Sequence, residues 1–263
     1  MAMISRSDDG CAIAWTEQGA GPAVLLIHGF ASTLRRNWIE TGWMDAIANA
    51  GYRALAYDQR GHGESEKRYE SSDYAPERLV DDALAVLDAA RTEHAVVMGY
   101  SMGARVGLEL VLVCPERVRG LVLSGMGAAF RDLGGGTTGE DRDIVAGALE
   151  ADDPSTFPAG ARFYRTFADQ TGQDRRALAA CWRRPIRAVA PRELATISVP
   201  TLIAVGDRDE VAGDPDVLVS GIPGATLARL AGKNHMNAVG ARQHRAAVLD
   251  LLARVESQRP AVQ

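Results

Sequence analysis

Ser101 stands in AVVMGYSMGAR (95–105), with Gly99 two residues before it and Gly103 two after. An apolar run ends there and an amphipathic one begins, so the hydroxyl falls at a strand-to-helix turn. A nucleophile at such an apex takes an unfavourable backbone conformation, and flanking glycines remove the side chains that would collide. A helix starting at Met102 turns its N-terminal N–H groups and positive dipole end toward the same point. A serine hydroxyl is a weak nucleophile at neutral pH and needs a base within hydrogen-bond reach. Of the five histidines, His235 in AGKNHMN (231–237) lies in a polar loop between the last strand run and the last helix. That loop is on the edge of the sheet where Ser101 is expected. A carboxylate must then hold the imidazole. Asp207, Asp209 and Glu210 in VGDRDEVAG (205–213) are available, and Asp209 is preferred because it can swing over the sheet edge. The position directly after the strand run at 118–124 offers no acid, only Ser124, Gly125 and Met126.

These side chains need a scaffold that brings distant loops to one edge. A hairpin is expected from Ala2 to Arg6 and from Ala12 to Glu17 around SDDG. Apolar runs at 23–28, 52–57, 95–100, 118–124, 201–206 and 225–230 are rich in Val, Leu and Ile and hardly alternate. Such runs read as strands buried on both faces of a parallel sheet. Helical patterns occupy 43–50, 75–91, 102–113 and 242–255. In 75–91, Leu79, Ala83, Leu84, Val86 and Leu87 fall on one side and the acids on the other. The order implies an α/β class with a doubly wound, mostly parallel sheet.

The rhythm breaks after the sixth strand. Residues 126–196 hold no comparable strand run and open with GGGTTGED (134–141). They also carry Phe130, Phe157, Phe163, Tyr164, Phe167 and Trp182. A helical lid over one end of the sheet is expected there, with residues 1–125 and 197–263 forming the core domain.

With these parts in order, the chain resembles an α/β-hydrolase of the serine-nucleophile branch, and small bacterial carboxylesterases in particular. The motifs are HGF (28–30), DQRGHGES (58–65), GYSMGA (99–104), GDRDE (206–210) and KNHMN (233–237). The resemblance implies an eight-stranded sheet, an oxyanion hole made by the backbone N–H groups of Phe30 and Met102, and loop-shaping roles for His28, Asp58, Arg60, Gly61 and Gly63. It implies Ser101 as nucleophile, His235 as base and Asp209 as its acid. Epoxide hydrolases and haloalkane dehalogenases resemble this chain too, but carry aspartate where Ser101 stands. Cleavage of a carboxylic ester through an acyl-enzyme is the leading expectation. Hydrolysis of a lactone or of a carbon–carbon bond in a ring-cleavage product is the alternative, and relatives of that kind often grip a carboxylate with lid Trp and Arg residues, for which Trp182 with Arg183 or Arg184 are available. A small-molecule receptor with little turnover is a third reading.

Arg35, Phe130, Phe163, Phe167, Trp182 and Met236 are the expected substrate contacts, Arg35 as an anion grip just beyond the oxyanion loop. No cofactor or metal is called for: H-E-x-x-H and the phosphate-loop motif are absent. A net charge of −5 offers no attraction to nucleic acid or an anionic membrane. Three cysteines without metal spacing, and an N-terminus without an apolar stretch, suggest a reduced cytoplasm. The partner expected is a small ester or lactone, bound by a monomer or small homo-oligomer.

Overall fold

A computed structural model describes residues 2–129 and 139–258, with side chains of 139–141 excepted. Phe130 and most of GGGTTGED lie outside the described residues. Eight strands form one sheet: β1 (Met3–Arg6), β2 (Ala12–Gln18), β3 (Ala23–Ile27), β4 (Arg53–Tyr57), β5 (Ala95–Tyr100), β6 (Val118–Ser124), β7 (Thr201–Gly206) and β8 (Thr226–Leu230). Their spatial order is β1-β2-β4-β3-β5-β6-β7-β8. The hairpin strand β2 runs antiparallel to β1 and β4, and every other pairing is parallel.

Side chains alternate across each strand, so neighbouring residues feed opposite cores. Leu25, Ile27, Leu55, Val97, Leu121, Leu123 and Ile203 pack on one face with the helices α2 (Pro76–Ala89) and α3 (Met102–Val113). Val24, Leu26, Ala56, Met98, Val122 and Leu202 pack on the other against Trp38, Trp43 of α1 (Trp43–Asn49) and Leu251. Strands covered on both sides have no reason to alternate polar and apolar residues, which is why the runs read as continuous. Each fully buried Leu or Ile in them stabilises the fold by about 1.5–3 kcal/mol.

The acids of α2 are not all on its outer side. Asp82 is buried, and its carboxylate accepts two hydrogen bonds of 2.7 Å from the Arg60 guanidinium. Arg60 also reaches Asp9 and the carbonyl of Asp73. A buried charge needs a partner of opposite sign, and here a loop cation supplies one to a helix.

Between β6 and β7 the described chain forms α4 (Gly139–Glu150), α5 (Ala159–Thr171), α6 (Arg175–Trp182) and the single turn α7 (Pro191–Leu194). The first three share a small-residue core of Val145, Ala146, Leu149, Ala161, Ala168, Leu178 and Ala179. Phe30 and Ala31 from the loop after β3 join that core and tie it to the sheet's edge.

The remaining α-helices among the described residues are α8 (Asp216–Gly221) and α9 (Arg242–Ser257). His244 of α9 is fully buried; its Nδ1 donates to the Val239 carbonyl at 3.1 Å and its Nε2 accepts from Ser124 Oγ at 2.7 Å. Burial outweighs those bonds and pushes its pKa down to about 4. In the unfolded chain the same group titrates near 6.5. Between those values only the unfolded state takes up the proton, so His244 costs stability as pH falls through that window. Urea unfolding of the wild type should lose roughly 3 kcal/mol between pH 7 and 4 from this group alone, and His244→Gln should show a correspondingly flatter pH dependence.

Candidate active site

Ser101 has φ 54° and ψ −115°, a conformation that non-glycine residues rarely adopt. The neighbouring glycines make it possible. A Cβ on Gly99 would overlap the carbonyl oxygen of Gly103, and one on Gly103 would overlap the carbonyl oxygen of Ile27 at the end of β3. The collisions are therefore with backbone, inside the turn and across to the adjacent strand. The Ser101 N–H donates to the Ser124 carbonyl at 2.8 Å, which fastens the apex to β6.

Three distant loops converge on this serine. His235 Nε2 stands 3.0 Å from Ser101 Oγ, and His235 Nδ1 lies 2.8 Å and 3.0 Å from the two Asp209 oxygens. A carboxylate only accepts, so Nδ1 carries the proton, leaving Nε2 to accept from the serine hydroxyl. Burial of Asp209 would raise its pKa, but the hydrogen bond and charge of His235 and the N–H groups of Ala212 and Val211 outweigh it and hold the group below the usual carboxylate range. Those two N–H groups donate to Oδ1 at 2.9 Å and 3.0 Å, fixing the carboxylate under the ring. Tyr100, the last residue of β5, donates its hydroxyl to the His235 carbonyl at 2.5 Å and so braces the loop. Asp207 faces elsewhere, accepting from the Gly232 N–H at 2.8 Å.

Phe30 and Met102 both border the same cavity as Ser101. Met102 opens α3, so its N–H has no acceptor within the helix and is directed at the serine end. Gly29 is held by a 2.9 Å bond from its N–H to Asn37 Oδ1, which sets the course of the loop bearing Phe30. Behind that loop, His28 Nε2 accepts from the Gln59 N–H at 3.0 Å, and Asp58 accepts from Leu34 and Glu64 N–H groups at 2.7 Å and 2.8 Å.

The cavity encloses about 140 Å³ above Ser101. Phe163, Phe167, Trp182 and Met236, expected from the sequence as substrate contacts, line it. Arg35 does not: it is exposed at the start of a one-turn segment, Arg35–Ile39, that turns it to solvent. The wall instead contains Arg142 and Arg184, together with Tyr164, Asn37 and Val239. Arg183 points outward to Glu150 and Asp143. Rings packed edge-on and tilted build the wall: Trp182 lies 4.6 Å from Phe30 and 4.4 Å from Tyr164, centroid to centroid. Phe163 and Met236 remain 47% and 45% exposed, which makes them the rim of the opening.

This sheet order, with a serine at a strained turn after β5, decides the fold. The protein has the α/β-hydrolase fold. A family model described as alpha/beta hydrolase fold matches residues 22–133. An epoxide hydrolase of Caballeronia sordidicola is 40% identical over 111 residues, which is 42% of this chain and 33% of that protein. The match thus spans about a third of that relative's length. A hydrolase of Pseudomonas aeruginosa superposes with a TM-score of 0.78 at 26% identity, over 95% of this chain and 98% of that one. An esterase from Exiguobacterium antarcticum gives 0.75 at 20% identity, over 97% of this chain and all of that one (100%).

The steric reading of the elbow predicts a contrast between two glycines. Gly103→Ala must displace β3 backbone and should destabilise the chain by about 2–4 kcal/mol. Gly160→Ala, where a Cβ meets nothing within 4 Å in the first turn of α5, should be neutral or stabilising by up to about 1 kcal/mol. Urea denaturation of both variants measures the difference.

Proposed function

We propose that this α/β-hydrolase cleaves carboxylic esters, with Ser101 as nucleophile, His235 as general base and acid, and Asp209 as the group that orients and charges the imidazole. The observation that carries the reading is the unbroken hydrogen-bond chain from Asp209 through His235 to Ser101 at the floor of an apolar cavity. Ser101 Oγ attacks the acyl carbon while its proton passes to His235 Nε2. The imidazolium is stabilised by Asp209, which its surroundings keep ionised. The N–H groups of Phe30 and Met102 receive the developing oxyanion, and such donors are typically worth about 10²–10³ in rate each. His235 returns the proton to the departing alcohol, and water repeats the sequence on the acyl-enzyme.

Serine chemistry also bears on the choice of substrate. A serine that opened an epoxide would become an ether, which this machinery has no means to hydrolyse. A serine acylated by an ester becomes an ester again and turns over. Ester hydrolysis therefore fits the residue at the elbow better than the activity named for the epoxide hydrolase relative. A lactone, being an internal ester, would follow the same steps. The helices α4 to α6 act in this reading as the cap that dries the acyl pocket.

A fluorophosphonate probe should label Ser101, and Ser101→Ala should abolish multiple turnover of short nitrophenyl esters. Asp209→Asn should lower kcat on the order of 10³–10⁴-fold, whereas Asp207→Asn keeps most of it. The reverse order would reassign the acid. A single turnover without release would favour a receptor.

A further inference from the structure

Met102 borders two cavities. One is the catalytic cavity of about 140 Å³, where it stands beside Ser101. The other encloses about 20 Å³ along the first turns of α3, with Pro76 and Leu79 of α2, Val106 of α3 and Ile186 in its wall. Met102 and Arg184 are the two described residues common to both. Met102 is 2% exposed, and its Sδ lies 3.7 Å from the Sγ of Cys181, a fully buried residue of α6. The Arg105 and Glu109 charges at the second cavity's edge are paired with each other at 2.6 Å and 2.9 Å, which leaves the aliphatic side chains to face the space.

The proposed reaction fixes which part of an ester points this way. Its tetrahedral carbon bears four groups. Ser101 Oγ is one, and the oxyanion, directed at the N–H groups of Phe30 and Met102, is the second. The departing alcohol must take its proton from His235 Nε2, so it lies on the side of His235, Val211 and Met236. The acyl substituent takes the remaining direction, away from the histidine loop. Among the described residues the second cavity shares no wall with that loop. Its lining instead follows Met102 along α3 and crosses to α2.

We propose that the Met102 side chain is the end wall of the acyl pocket: it restricts the protein to short acyl groups, and the apolar space behind it is the course a longer chain would follow. This inference rests on the ester-hydrolase reading and narrows its substrate class. A cavity of about 140 Å³ is close in size to one that takes up a single benzene ring, so a short acyl group and its alcohol fill it. The 20 Å³ beyond the wall is room for one water-sized group. Loss of Met102 Cγ, Sδ and Cε would join the two spaces and admit roughly four more carbons. The residue after the nucleophile thus has two separate duties: its backbone N–H serves the oxyanion, and its side chain sets acyl length. An unbranched thioether suits an end wall, because it fills irregular gaps and carries no donor that must be satisfied.

The test is steady-state hydrolysis of nitrophenyl butyrate and octanoate, each below its solubility limit, with ethyl and octyl acetate as controls for the alcohol side. In the wild type kcat/KM should fall by about ten-fold or more from butyrate to octanoate. Met102→Ala should raise the octanoate-to-butyrate ratio by about ten-fold or more, since each methylene buried against an apolar wall is worth about four-fold, and should leave the octyl-to-ethyl acetate ratio nearly unchanged. Val106→Ile added to Met102→Ala fills the space behind the wall and should take back part of the gain. Met102→Val should move the ratio the same way by a smaller step, which keeps the test open if the alanine variant does not fold. Each ratio is taken within one protein, so a lower overall rate does not blur it. Octanoate turned over by the wild type as fast as butyrate would overturn the end wall. So would variants whose ratio stays at the wild-type value, or rises equally for both sides of the ester; the ester reading survives these results. Failure to turn over any of the four esters, with Ser101 unlabelled by fluorophosphonate, would overturn both.

Discussion

The site depends on a single backbone constraint: Ser101 must hold φ 54° at the junction of β5 and α3. Residues in such sparsely populated conformations cost about 1–3 kcal/mol and persist only where their surroundings enforce them. Here the enforcement is shared. Gly99 and Gly103 clear the backbone of the turn and of β3, the Ser124 carbonyl takes the serine N–H, and the buried Ser124–His244 bond ties that strand to α9. The same constraint serves the proposed chemistry, since a serine pushed out of its strand is open to His235 and stands at the start of a helix.

Parallel topology does the rest. Strands that run the same way deliver their following loops to one edge, so residues far apart in the chain become neighbours. The loop after β7 brings Asp209, the loop after β8 brings His235, and the loop after β3 brings Phe30. No long side chain has to reach across the sheet.

Much of this was legible in the sequence because it obeys local rules. Strands buried on two faces show as unbroken apolar runs, and α3 starts at Met102 and ends at Val113 as its pattern implies. The order of serine, acid and histidine follows from strand-end loops alone. What was hidden depends on packing between elements. Asp82 reads as one acid among several on α2, and nothing local reveals that Arg60 from another loop buries it. Arg183 and Arg184 are neighbours just past the end of α6 that diverge, one to surface acids and the other into the cavity wall. Arg35 lies just beyond the oxyanion loop in sequence, but a one-turn segment sends it outward. Arg142 gave no signal, since it joins the cavity wall through contacts with Trp182 and Arg184 across some forty residues of chain.

In the proposed reaction the acyl group passes covalently through Ser101. Rapid quenching during hydrolysis of a nitrophenyl ester in ¹⁸O-water, followed by intact-mass and peptide analysis, tests it directly. The serine mechanism predicts one transient acyl adduct on the peptide holding Ser101, and heavy oxygen in the released acid. An adduct on an aspartate, as a carboxylate nucleophile would give, or steady turnover with Ser101 replaced by alanine, would contradict it.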